Sequence, residues 1–199
     1  DNIHRNIFTR VPSNIKFMSV SCGYDHTMAV DIKGNLWSCG YNRYGQLGLS
    51  DNIDRNVLTK VIVVTTISDT KFISIASGYL YTTALDIEGN IWSCGYNRYG
   101  QLGLSDNIAR NNLTKIVVVN PTTTSNTYFT AVSSGTYHTL ALDIEGNLWS
   151  CGVNQYGQLG LLDNIDRNVL TKVPNVIVDR LSDQNNILGS RIKGAHTVL

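Results

Sequence analysis

Charge is scarce in this sequence. Of 199 residues 16% are charged, and 16 basic against 15 acidic side chains leave a formal net charge of +1. That gives no support to a polybasic surface for nucleic acid or anionic lipid, which clustered Lys and Arg would supply. Long apolar runs are missing too. The longest, such as Lys60-Val61-Ile62-Val63-Val64, are strand-sized, so nothing spans a bilayer as a helix. No secretory hydrophobic segment is visible, and a start at Asp1 rather than Met leaves an upstream segment open. The 4 cysteines include no Cys-x-x-Cys and no His/Cys cluster, which removes a metal site. Cys22 and Cys39, on the first and third strands of one unit, would lie ~9.5 Å apart, beyond the ~7 Å Cα limit for a disulfide. There is no Ser/His/Asp order, no Gly-x-x-x-x-Gly-Lys-Ser/Thr and no carboxylate pair standing apart, so neither an enzyme nor a cofactor is expected. What the chain does have is 42% hydrophobic residues, enough for a well-buried core.

It also repeats itself. Asp1-Asn2-Ile3-His4-Arg5-Asn6 returns at Asp51, Asp106 and Asp163, and Trp37, Trp92 and Trp149 each open Trp-Ser-Cys-Gly, 55 and 57 positions apart. A period near 55 marks a supersecondary unit that buries its faces only against its neighbours. From Gly23, Gly78 and Gly135 to the next repeat's Asp the distance is always 28, whereas from Thr9, Thr59, Thr114 and Thr171 to the equivalent Gly of the next unit (Gly23, Gly78, Gly135 and Gly194) it runs 14, 19, 21 and 23. One connection per repeat thus absorbs every insertion.

Within a repeat the pattern is strand. Lys16-Phe17-Met18-Ser19-Val20-Ser21 alternates at period two, and His26 to Asp31 is a second strand. Ile32-Lys33-Gly34-Asn35 reads as a tight turn with Gly34 at positive φ, and Leu36 to Cys39 follows as a third strand stopped by Gly40. Leu58 to Val64, rich in β-branched residues, reads as the fourth. The fold class is therefore all-β, a β-propeller of four-stranded antiparallel blades. Read this way, 1–11 is the last strand of a preceding blade (Asn6 to Val11), 12–64, 65–119 and 120–178 are blades, and 179–199 starts a further one. About three and a half blades are present, part of a seven-bladed ring completed by further blades of the same chain or by a second copy.

Ser21-Cys22-Gly23-Tyr24-Asp25-His26-Thr27-Met28-Ala29-Val30 and Gly34-Asn35-Leu36-Trp37-Ser38-Cys39-Gly40-Tyr41-Asn42-Arg43-Tyr44-Gly45-Gln46-Leu47-Gly48-Leu49 closely resemble the repeat of the regulator-of-chromosome-condensation family. The resemblance runs in register over nearly the whole chain. It implies a propeller, normally seven-bladed, whose members include an exchange factor for a small nuclear GTPase, chromatin-binding modules, domains of ubiquitin ligases, plant ultraviolet receptors and β-lactamase inhibitors. They share a scaffold and not a reaction.

Residues that recur in each unit are read as serving the fold. These are Trp37, Trp92 and Trp149, with Gly45, Gln46 and Gly48, then Gly100, Gln101 and Gly103, then Gly157, Gln158 and Gly160. The glycines allow positive φ and close approach, and the glutamines bond stranded backbone groups. Asp51 and Arg55 are spaced to pair, and Cys39, Cys94 and Cys151 read as small buried thiols. Partner specificity belongs where units differ. The first-to-second-strand loops read Tyr24-Asp25-His26, Tyr79-Leu80-Tyr81 and Thr136-Tyr137-His138, and on the opposite side lie connectors around Thr65 to Thr70, Asn120 to Thr127 and Asp179 to Asn186. His26, His138 and His196 are read mainly as bonding backbone within their own blades, and Tyr81 in the same place argues against a three-His metal site. The first reading of function is a non-catalytic, protein-binding propeller. The second is a guanine-nucleotide exchange factor for a Ran-like small GTPase, with Asp25, His26 and His138 at the matching loop position. The third is a structural component of a virion or large assembly, and Asn- and Ile-rich composition points to an AT-rich genome such as a protist's or a giant virus's. These readings place the chain in the cytoplasm or nucleus, or in a virion.

Overall fold

A computed structural model describes residues 6–11, 14–63, 70–118 and 127–174. They form twelve strands in three antiparallel sheets, and no helix occurs among them. The first blade comprises β1 (Phe17–Cys22), β2 (His26–Asp31), β3 (Leu36–Gly40) and β4 (Arg55–Lys60). The second comprises β5 (Phe72–Ser77), β6 (Tyr81–Asp86), β7 (Ile91–Gly95) and β8 (Arg110–Lys115). The third comprises β9 (Phe129–Ser134), β10 (His138–Asp143), β11 (Leu148–Gly152) and β12 (Arg167–Lys172). Each is a meander in which every strand pairs with its sequence neighbour.

The Asp that ends each second strand builds the turn to the third. Asp31 accepts hydrogen bonds from the Lys33 and Asn35 N–H groups and from the Asn35 and Trp37 side chains, while Gly34 takes φ of 77°. Asp86 and Asp143 repeat the arrangement with Trp92 and Trp149. Three of the twelve strands thereby fix their own successors.

Blades stack face to face because each sheet is apolar on both sides. Met28, Val30 and Leu36 of the first blade pack on Phe72, Ile75, Ala84 and Trp92 of the second. Leu85, Ile91 and Ile116 of the second pack on Phe129, Ala141, Trp149 and Cys151 of the third. Each fully buried side chain of this kind stabilises by about 1.5–3 kcal/mol. At the rim, the connection after β3 crosses to the next blade, where Leu49 bridges Asn112 and Leu104 bridges Val169. There Gly45 comes so close to Asn111 that a Cβ would sit 2.2 Å from its Cα.

One expectation needs correction. The fourth strand is Arg55–Lys60, not Leu58 to Val64, because the ladder with β3 begins at Arg55 opposite Gly40 and β3 starts only at Leu36. The Val61 N–H closes the ladder on the Leu36 carbonyl, and Ile62 and Val63 beyond it lie outside any strand. Residues 6–11 form bends and irregular backbone and no strand. The preceding blade to which Asn6 to Val11 was assigned is not among the described residues, so no third strand stands beside them. The connectors at 65–69, 120–126 and 179–186 and the fourth unit with His196 lie outside the described residues.

Candidate functional site

The loops between first and second strands and the connections leaving the third strands emerge at the same end of each blade. His26 pairs with Gly40, so Tyr41 follows directly beside the first loop, and its N–H donates to the Asp25 carbonyl. Across blades the loops touch in turn, Tyr24 N–H to the Tyr79 carbonyl and Tyr79 N–H to that of Thr136.

This end is paved with tyrosine. An inner row runs from Tyr24 to Tyr79 to Tyr137 with ring centroids 4.5 and 5.6 Å apart. An outer row runs from Tyr41 to Tyr44, Tyr96 and Tyr99 in steps of 6.5, 5.1 and 6.3 Å. Tyr137 joins the rows, 6.2 Å from Tyr96 and 5.1 Å from Tyr99. Tyr24 is 66% exposed and Tyr44 38%, and the other five are half-buried. Burial and the neighbouring phenols of Tyr79, Tyr96, Tyr99 and Tyr44 push the Tyr137 phenol above its ordinary range. Asp25, Arg43, Arg98 and Thr136 are exposed at the same end and Leu80 is half-buried.

Three of the anticipated loop residues belong elsewhere. His26 and Tyr81 are buried because their position turns into the seam with the next blade, and His138 is half-buried. The Thr82 hydroxyl donates to the Gln46 carbonyl, so its oxygen accepts from His26 Nε2 at 3.1 Å. The histidine therefore bonds a side chain of the next blade and not backbone of its own. Its Nδ1 has no partner among the described residues, and burial lowers the imidazole to about pKa 4. Tyr81 does the same work differently, its hydroxyl donating to the carbonyl of His138. A Cβ on Gly78 would lie 1.9 Å from the Tyr81 ring, which is why glycine stands under each such ring.

The recurrent residues make matching contacts from blade to blade. Gln46, Gln101 and Gln158 accept from the N–H groups of Tyr44, Tyr99 and Tyr156. Asp51 and Arg55 form the anticipated ion pair, repeated at Asp106 and Asp163. Cys94 and Cys151 are buried, with thiols raised by burial, whereas Cys39 is half-buried and Cys22 exposed. Among the described residues no group of His, Cys, Asp and Glu is arranged to hold a metal ion.

Tyr41, Tyr44, Tyr96 and Tyr99 escaped the sequence reading because Tyr-Asn-Arg-Tyr-Gly sits inside a motif that recurs. The available signal was the excess of 10 Tyr over 4 Phe, since a purely buried role does not need the hydroxyl.

Three four-stranded antiparallel blades stacked in series define a β-propeller segment. The chain belongs to the regulator of chromosome condensation (RCC1) repeat family, whose repeat matches residues 33–85, 88–142 and 145–188. A second description of the same repeat matches 19–46, 72–101 and 129–158. The ultraviolet-B receptor UVR8 of Arabidopsis thaliana is 34% identical over 156 residues, covering 77% of this chain and 33% of that protein. The probable E3 ubiquitin-protein ligase HERC4 of Mus musculus is 35% identical over 159 residues, 76% of this chain and 14% of the ligase. The chain thus spans a third or less of these relatives. The crystal structure of Prp20p from Saccharomyces cerevisiae, a protein characterised for binding Gsp1p and histones, superposes with a TM-score of 0.67 at 23% identity, over 81% of this chain and 39% of that one. No helix among the described residues is long and apolar enough to cross a membrane.

Proposed function

We propose that the chain is a non-catalytic, protein-binding part of a propeller, acting inside the cell, and that its partner docks on the tyrosine-paved end. The observation that carries this is the continuous run of seven tyrosines across three blades. Tyrosine supplies large, rigid contact area with a polar tip, and with Arg it dominates the energetic centres of protein interfaces. Tyr24, Asp25, Tyr79, Leu80, Thr136 and Tyr137 would contact the partner, while His26, Tyr81 and His138 would act only by holding the loops. Affinity capture tests this. Proteins retained by the wild-type chain should be lost by a Tyr24→Ser, Tyr79→Ser, Tyr137→Ser variant that still folds, and their undiminished retention would sink the proposal.

Nucleotide exchange on a Ran-like GTPase is the second reading, favoured by one exposed carboxylate, Asp25, at the loop position expected for it. Blades two and three carry Leu80 and Tyr137 there, so a single blade would have to supply the acidic contact. Release of labelled GDP from such a GTPase, with wild type and Asp25→Asn, decides it: unchanged release by the wild-type protein excludes exchange.

A further inference from the structure

We propose that the tyrosine-paved end binds an extended, proline-rich segment that carries acidic side chains. This rests on the reading of that end as the partner-binding face and names the chemistry of the partner.

The shape of the surface comes first. The rings are tilted against one another, with interplanar angles of 41° for Tyr24 and Tyr79, 68° for Tyr79 and Tyr137 and 55° for Tyr99 and Tyr137. Tilted neighbours leave ridges and furrows where coplanar ones would make a floor. The inner-row rings follow one another at 4.5 and 5.6 Å, close to the rise of two residues of a polyproline II helix at about 3.1 Å per residue. Such a helix has no internal hydrogen bonds, so its carbonyls need donors. Among the described residues none of the seven tyrosine hydroxyls makes a hydrogen bond, unlike those of Tyr81 and Tyr128. Aromatic grooves with free donors are how proline-rich segments are recognised, and the ligand's preformed shape lowers the ordering cost.

Charge selects the acidic version. Arg43 and Arg98 adjoin Tyr44 and Tyr99, are exposed, and have no ion-pair partner among the described residues. By contrast Arg55, Arg110 and Arg167 are held by Asp51, Asp106 and Asp163. A cationic ligand would be drawn to the ring faces and to the exposed Asp25 but would meet these two guanidinium groups. A carboxylate would instead gain charge-assisted hydrogen bonds from them.

Fluorescence anisotropy with labelled dodecapeptides tests the proposal. A Pro-Pro-Glu repeat should bind the chain and weaken as salt rises. Tyr79→Ala with Tyr137→Ala should weaken it on the order of tenfold, and Arg43→Ser with Arg98→Ser severalfold. Tyr79→Phe with Tyr137→Phe keeps the ring packing and hence the fold, and should still cost affinity through the lost donors. Equal binding of a Gly-Ser-Glu repeat of the same charge, tighter binding of a Pro-Pro-Lys repeat, or no binding of any peptide would each overturn the proposal. In those cases, continued dependence of captured partners on Tyr24, Tyr79 and Tyr137 would leave the partner face standing, and its absence would remove both.

Discussion

His26 is held in the seam as a neutral imidazole, with Nε2–H spent on Thr82 and Nδ1 facing no acceptor. A proton added to Nδ1 would be a buried donor without a partner, so burial and geometry agree on the lowered pKa of about 4 against an ordinary 6.5. The unfolded chain then takes up the proton first. The contribution is complete above about pH 6.5 and is lost as pH falls towards 4, on the order of 3 kcal/mol in all. His138, also lowered by burial, adds to the same slope. Asp31 does not, because its window lies lower: burial raises its carboxyl, but hydrogen bonds from Asn35, Trp37 and Lys33 outweigh that and hold it at about 2. His26→Tyr installs the ring that blade two uses at this place. It should leave stability at pH 7 within about 1 kcal/mol and flatten the fall between pH 6.5 and 4.5. Urea midpoints across that range check it, and an unchanged slope would mean that other groups carry the acid sensitivity.

At the scale of the element, the unit that matters is Asp, turn and Trp. Trp37, Trp92 and Trp149 each donate their indole N–H to the Asp that ends the preceding strand, at 3.0, 2.8 and 2.9 Å. The three differ in what covers them: Trp92 and Trp149 are pressed between blades, whereas Trp37 is half-buried. Trp92→Phe leaves the buried Asp86 short of a donor and opens a gap in the seam, which should cost about 2–3 kcal/mol. Trp37→Phe strips the same bond from an equally buried Asp31 but should cost only about 1 kcal/mol, because the half-buried indole leaves an open gap that solvent fills. Guanidinium unfolding of the two variants measures the difference, and equal losses would show that the seam adds nothing to the clamp. The strands, the turn at Gly34 and the repeat were legible because their signals are local: period-two alternation, a turn glycine, and recurrence at fixed spacing. The seam was not. His26 and Thr82 are 56 residues apart, and nothing in either's neighbourhood names the other. The tyrosine face was half legible. Its inner row lies where the repeats differ, while its outer row hides in residues that recur and so read as scaffold.

For the whole molecule, the decisive contrast is between equivalent positions in different blades. Ile75 is 7% exposed against blade one, and Val20, its counterpart in blade one, is 68% exposed. Cys39 is half-buried where Cys94 and Cys151 are fully buried, and their thiols donate to the Gln46 and Gln101 carbonyls of the preceding blade. The outer face of blade one thus carries the residues of a seam, Val20, Trp37 and Cys39, with no described blade against them. An apolar sheet face of that kind is expected to be covered in the working protein, by a preceding blade of a longer chain or by a second copy. Burial holds the Cys94 and Cys151 thiols neutral and so unreactive, since the thiolate is the nucleophile. Iodoacetamide at neutral pH, read out by mass spectrometry, should then modify Cys22 and Cys39 in the isolated 199-residue chain and spare Cys94 and Cys151 until it unfolds. In an assembly that covers the face, Cys39 should become as resistant as Cys94. A single-chain mass in light scattering together with protected Cys39 assigns the cover to further blades of one polypeptide, and a doubled mass assigns it to a second copy. Reactive Cys39 in the full-length protein would mean that the face stays open, and the closed-ring reading would fall with it.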